Sequence, residues 1–124
     1  MSQDIVADAL NQIMNSMKAS KNTLTLKHHS KLLIDVLAIG KLRGYIKDYR
    51  VEGKNLEVQI GKLNACNAIK PRYAVRVEEI IKYVRRYLPA RNMGILIIST
   101  SKGIVTHQTA MEKKIGGNVI AYFY

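Results

Sequence analysis

ILIISTSKGIVTHQ, residues Ile95 to Gln108, opens as a buried strand and closes as the start of a helix. The four branched apolar residues Ile95 to Ile98 form the clearest strand signal in the chain. After them come Ser99-Thr100-Ser101-Lys102-Gly103, which place three hydroxyls and a cation in five residues. The role of this joint depends on what surrounds it.

Three readings compete for it. Ser99 and Lys102 have the S-x-x-K spacing of acyl-transfer enzymes, in which a lysine helps to activate a serine. That spacing is common by chance, no second motif of the kind follows, and little chain remains to build a substrate cleft. Ser and Thr at a strand end also cap turns through bonds to the backbone. Finally, short hydroxyls and exposed backbone N–H groups on a rigid strand end can reach base edges, 2′-hydroxyls or phosphates without much loss of side-chain entropy. Lys102 adds charge there, and Gly103 permits close backbone approach. Capping and contact can each hold for different hydroxyls.

Charge favours contact with a polyanion. The 124 residues carry 20 Lys and Arg against 9 Asp and Glu, a formal +11. Such self-repulsion is best tolerated beside nucleic acid. Residues 1 to 62 hold net +4 and residues 63 to 124 net +7, so the main anionic contact is expected in the second half. The basic residues group as Lys27 and Lys31 around His28-His29, Lys70 and Arg72 around Pro71, Lys82, Arg85, Arg86 and Arg91 around one helix, and Lys113 with Lys114. Tyr73, Tyr83, Tyr87 and Tyr122 lie among them and fit either a core or a base-stacking role.

Outward from the joint, the pattern is α+β. Ile5, Val6, Ala9, Leu10, Ile13, Met14 and Met17 recur at helical spacing behind a possible Asp4 cap. Leu24 to Lys27 alternates as a short strand, and Ser30 can cap a second helix that stops at Gly44. Strand-like runs cover 45–51 and 56–63, joined by Glu52-Gly53-Lys54-Asn55. The aperiodic NACNAIKPRY with Pro71 reads as an extended connection. Beyond it are expected a strand at 74–77, a helix over 78–87, a helix starting at Thr106 or Thr109 and ended by Gly116-Gly117, and a final strand over 119–124. The predicted architecture is two small lobes, 1–64 and 65–124, each of short helices packed on a small β-sheet.

Other chemistry finds little support. Cys66 is the only cysteine, which excludes an intrachain disulfide and a cysteine-based zinc site; it reads as a half-buried filler. No two of His28, His29 and His107 have the i, i+4 spacing of a helical metal pair, and no cofactor is implied. Asp4 and Asp8 share a helix face but have no base in reach. The N-terminal MSQDIVADALNQIM lacks the character of a signal peptide, so a cytoplasmic location is expected. A membrane-surface role would need a cationic polar helix face, which the first helix does not have. A basic DNA-binding or architectural protein is the alternative class, although no helix-turn-helix pattern is clear; a small serine hydrolase is the other.

The residues resemble those of a known family, small-subunit ribosomal protein eight in its archaeal and eukaryotic form. DIVADALNQI, SKLL followed by GYI, AIKPRYAV, RYLPARNMGILIISTSKGIVTHQTA and GGNVIAYFY carry the resemblance across the whole chain. It implies a non-enzymatic constituent of the small ribosomal subunit that binds small-subunit ribosomal RNA early in assembly, at an irregular stem of the central domain. In relatives the S-T-S-x-G turn approaches that stem, which implies RNA contact at Ser99, Thr100, Ser101, Lys102 and Gly103. Gly116 and Gly117 lie near RNA in relatives, and Lys27, Lys31 and Asn15 are candidates for backbone contacts from the first lobe, with Lys70 and Arg72 between the lobes. Implied partners are ribosomal RNA and neighbouring small-subunit ribosomal proteins. Some bacterial relatives also bind their own messenger, so its own mRNA is a further candidate. A monomer is expected when free. Ile5 stands where many members have proline, and His28-His29 stands where the family often shows Pro-Ala.

Overall fold

The computed structural model describes residues 5–70, 72–90 and 93–124. The expected Asp4 cap, the Pro71 connection and the Arg91 cation lie outside the described residues. The chain divides into two compact units, one ending at Asn67 and the other beginning at Ala68.

In the first unit the elements are α1 (Ile5–Lys18), β1 (Thr23–Leu26), α2 (Lys31–Leu42), β2 (Ile46–Glu52) and β3 (Asn55–Ile60). The strands form an antiparallel sheet in the order β1-β3-β2. The helical periodicity has the expected consequence: Val6, Ala9, Leu10 and Ile13 of α1 are buried, as are Leu33, Val36 and Leu37 of α2. They share the core with Leu26, Ile46, Leu56 and Val58. Burying each Leu or Ile stabilises the fold by about 1.5 to 3 kcal/mol relative to exposure. Ser30 caps α2, its hydroxyl accepting from the Leu33 amide at 3.2 Å. Gly44 takes the left-handed conformation just past the helix end, at φ +85°. The β2-β3 hairpin pairs Glu52 with Asn55, leaving Gly53-Lys54 as a two-residue turn.

The second unit holds β5 (Ala74–Val75), a 3₁₀ turn (Val77–Glu79), α3 (Ile80–Tyr87), β6 (Ile95–Thr100), β7 (Gly103–Thr106), α4 (His107–Lys113) and β8 (Gly117–Phe123); β4 (Cys66–Ala68) straddles the boundary. The five-stranded sheet runs β4-β8-β6-β7, with β5 also pairing to β8. Its core gathers Ile69, Val75, Ile80, Val84, Leu88, Leu96, Ile98, Ala110 and Val119.

Three local expectations are corrected. NACNAIKPRY contains a strand, β4, because long-range pairing with β8 stabilises three residues that have no period of their own. Strand character ends at Val75 rather than at 77, since the Glu79 carboxylate accepts from the Arg76 amide at 3.0 Å and starts a helical turn. The end of α4 is made by Lys114, at φ +57°, and not by Gly116-Gly117. The amides of Lys114 and Ile115 close that end onto the Met111 and Ala110 carbonyls, at 3.2 and 3.0 Å.

Candidate nucleic-acid interface

The Ser99–Gly103 joint is a β-hairpin and not a strand-to-helix turn. Ile104, Val105 and Thr106 are β-branched, and they continue as β7 antiparallel to β6 before α4 begins. Thr100 pairs with Gly103, so Ser101 and Lys102 form the tip. The Thr100 hydroxyl donates to the Gly103 carbonyl at 2.8 Å and accepts from the Lys102 amide at 3.1 Å. Gly103 adopts φ +110°, with nothing within 4 Å of where a Cβ would stand, so it is needed for backbone freedom and not for space.

The three hydroxyls therefore divide their roles. Thr100 holds the turn, whereas the hydroxyls of Ser99 and Ser101 have no hydrogen-bond partner among the described residues. Ser101 and Lys102 are exposed, and Ser99 is half-buried. Ser99 stands opposite Asn118 of β8 and Ile104 of β7, and directly opposed residues on antiparallel strands present their side chains to one sheet face. Asn118 is exposed and likewise without a partner among the described residues. Sequence reasoning missed it. The signal was the one amide side chain immediately before Val119 in an otherwise apolar and aromatic strand.

Gly116 and Gly117 sit at the same end of the sheet. A side chain at Gly116 would run into the Val75 carbonyl, and one at Gly117 into the Ser99 carbonyl, with Ile98 Cγ2 at 3.0 Å. The pair thus lets β5 and β6 close onto β8 beside the hairpin. Lys70 and Arg72 are exposed on the segment between β4 and β5, both of which border β8.

In the first unit, Lys27, Lys31 and Asn15 are all exposed. Lys27 and His28 line a cleft of about 430 Å³ between α1 and β1, together with Asp8 and Gln12. His29 is committed elsewhere, its Nε2 donating to the Gly53 carbonyl at 3.0 Å. His107 is buried and its Nδ1 accepts from the Leu96 amide at 3.1 Å. The histidines therefore serve three separate local purposes, and no group of three or more His, Cys, Asp or Glu among the described residues could hold a metal. Cys66 is more deeply buried than expected. Its Sγ lies 3.8 Å from the Leu10 carbonyl, and burial pushes its thiol up to about 12.

The charge pattern is asymmetric. The ion pairs Lys41–Asp48, Arg50–Glu52 and Arg50–Glu57 all belong to the first unit, where Lys41 and the Tyr49 amide hold the Asp48 carboxyl below its usual range. Lys102, Lys113 and Lys114 have no anionic partner among the described residues. No bond among the described residues joins Ser99 to Lys102, so the S-x-x-K spacing does not assemble an activated nucleophile.

The fold and the site define a basic α+β scaffold that displays small polar groups on a braced hairpin. A family model described as ribosomal protein S8 matches residues 4–124. The small ribosomal subunit protein uS8 of Nanoarchaeum equitans (strain Kin4-M) is 45% identical over 129 aligned positions, which cover all of both chains. The chain belongs to the ribosomal protein S8 family. It is a structural protein of the small subunit of the cytoplasmic ribosome and not an enzyme.

Proposed function

We propose that this chain is a primary binder of small-subunit ribosomal RNA, that it holds an irregular stem of the central domain, and that residues 65–124 supply the main contact. The observation that carries this reading is the pair of unpartnered hydroxyls, Ser99 and Ser101, on a hairpin that Thr100 already braces. Polar groups left free on rigid backbone are inexpensive to order against a ligand. Asn118 beside Ser99 adds an amide donor and acceptor to the same face.

The division of labour follows from the chemistry. Lys102, with Lys70, Arg72, Lys27 and Lys31, supplies affinity that falls with salt, each neutralised phosphate contributing a slope of about 0.9 for a duplex. Ser99, Ser101 and Asn118 supply discrimination, because a regular A-form stem offers few base edges to short side chains. Asn15 contributes a backbone contact, and Gly116-Gly117 keep the sheet end low enough for RNA to approach. Neighbouring small-subunit proteins are the second class of partner. A messenger folded into the same irregular stem would satisfy the same surface.

Salt-titrated binding to an irregular stem and to a plain duplex tests the proposal. Ser101→Ala is expected to weaken binding to the irregular stem by about 1 to 3 kcal/mol with its salt slope retained, and Lys102→Ala to flatten that slope. Equal behaviour of both variants and the wild type, or equal affinity of the wild type for the two RNAs, would overturn it.

A further inference from the structure

The second unit carries a continuous run of stacked groups that the hairpin does not use. Tyr83 lies against Tyr73 with centroids 5.6 Å apart, and the Arg86 guanidinium stands 5.8 Å from the Tyr73 ring and 5.4 Å from that of Tyr87. Tyr87 in turn stacks on Tyr122 at 5.6 Å, and Tyr122 on Tyr124 at 6.0 Å. All five rings are half-buried against the core of the unit, whereas Arg86 is exposed.

Arg86 is held without being satisfied. Its planar cation lies over two rings, an arrangement that restricts a long side chain and weakens its hydration. Yet its N–H groups have no hydrogen-bond or ionic partner among the described residues. Lys82 is exposed one helical turn earlier on the same face and also has no partner among them. Of the acids on the adjoining 3₁₀ turn, Glu79 is committed to the Arg76 amide.

We infer that Arg86, fixed between Tyr73 and Tyr87, is a second RNA contact whose guanidinium fork receives a backbone phosphate. A preorganised fork with free donors matches two phosphate oxygens, and the exposed Lys82 adds charge beside it. The site is distinct from the hairpin. Tyr122, on which Tyr87 stacks, pairs with Leu96, five residues before Ser101 in the chain, and no residue of the stacked run belongs to the hairpin. This inference rests on the RNA-binding reading above and extends it to a two-point grip on one RNA.

The test uses the full chain and full-length small-subunit ribosomal RNA, with Ser101→Ala measured in parallel. Arg86→Ala is expected to weaken binding 5- to 10-fold and to flatten the salt slope by about 0.7 to 0.9. Arg86→Lys is expected to restore the slope while binding stays several-fold weaker, a split that a merely structural arginine would not produce. Tyr87→Leu is expected to behave like Arg86→Lys; should it fail to fold, the two arginine variants, on an exposed side chain, still decide. If Arg86→Ala matches the wild type in affinity and slope while Ser101→Ala is weakened, this inference falls and the hairpin reading stands. If Arg86→Ala binds RNA normally but loses retention of a polyglutamate probe, the face serves an acidic protein segment and the inference is overturned. If the wild type shows no preference for this RNA, both readings fall together.

Discussion

The carbonyl of Ser99 occupies the space that a side chain at Gly117 would need. This contact joins the candidate RNA hairpin to the final strand, and it assigns the Gly116-Gly117 pair an internal packing role whatever lies outside it.

Gly117→Ala should therefore be destabilising. The nearest atoms are backbone, which cannot swing away, so a cost of about 1 to 3 kcal/mol is expected in urea denaturation. Gly103→Ala makes the contrast. Its surroundings are open and only the conformation at φ +110° is strained, so a loss of about 1 to 2 kcal/mol is expected without repacking of the core. Crystal structures of the two variants should show β6 and β8 displaced in the first alone.

Thr100→Val should loosen the hairpin and leave the shape of the side chain nearly unchanged. It removes one donated and one accepted hydrogen bond at an exposed turn, which corresponds to about 1 to 2 kcal/mol. Amide hydrogen exchange at Lys102 and Gly103 should accelerate, while exchange in β8 stays slow.

His107→Ala should cost at least about 1 to 3 kcal/mol, because the buried Leu96 amide loses its acceptor. Thermal melting would register the loss. A histidine acting mainly at a ligand surface would instead leave the melting temperature unchanged.

Cys66 should be silent toward thiol reagents in the folded protein at pH 8 and reactive once denatured. Burial raises its pKa from 9.0 to about 12, so the folded state keeps the proton that the unfolded chain releases. The associated stability is intact below pH 9 and is lost as pH rises through about 12. Denaturation midpoints across that window, compared with those of Cys66→Ala, would reveal the slope, and a pH-independent difference between the two proteins would refute it.

Much of the fold was legible because its signals are local. The spacing of Leu10 and Ile13, the Ser30 cap and the left-handed Gly44 each depend on residues within a turn or two. β7 was missed because GIVT, between the hydroxyl-rich joint and a helix expected to start at Thr106 or Thr109, was assigned to no element, although its pairing with β6 makes it a strand. β4 has no period at all and depends on β8, some fifty residues away. At the candidate site, the residues of the STSKG motif were named from the sequence, but Asn118 was not, since its relation to Ser99 exists only across strands.

Sequence alone determined the basic balance, the α+β order, the position of the polar hairpin residues and the family they resemble, because composition, period and motif are properties of the chain itself. Tertiary structure decided which hydroxyl braces the turn and which two stay free, why Gly117 must be small, and that Arg86 is gripped by Tyr73 and Tyr87. Those outcomes depend on who approaches whom across the fold, and hydrogen-bond partners and close contacts are settled only when distant segments meet.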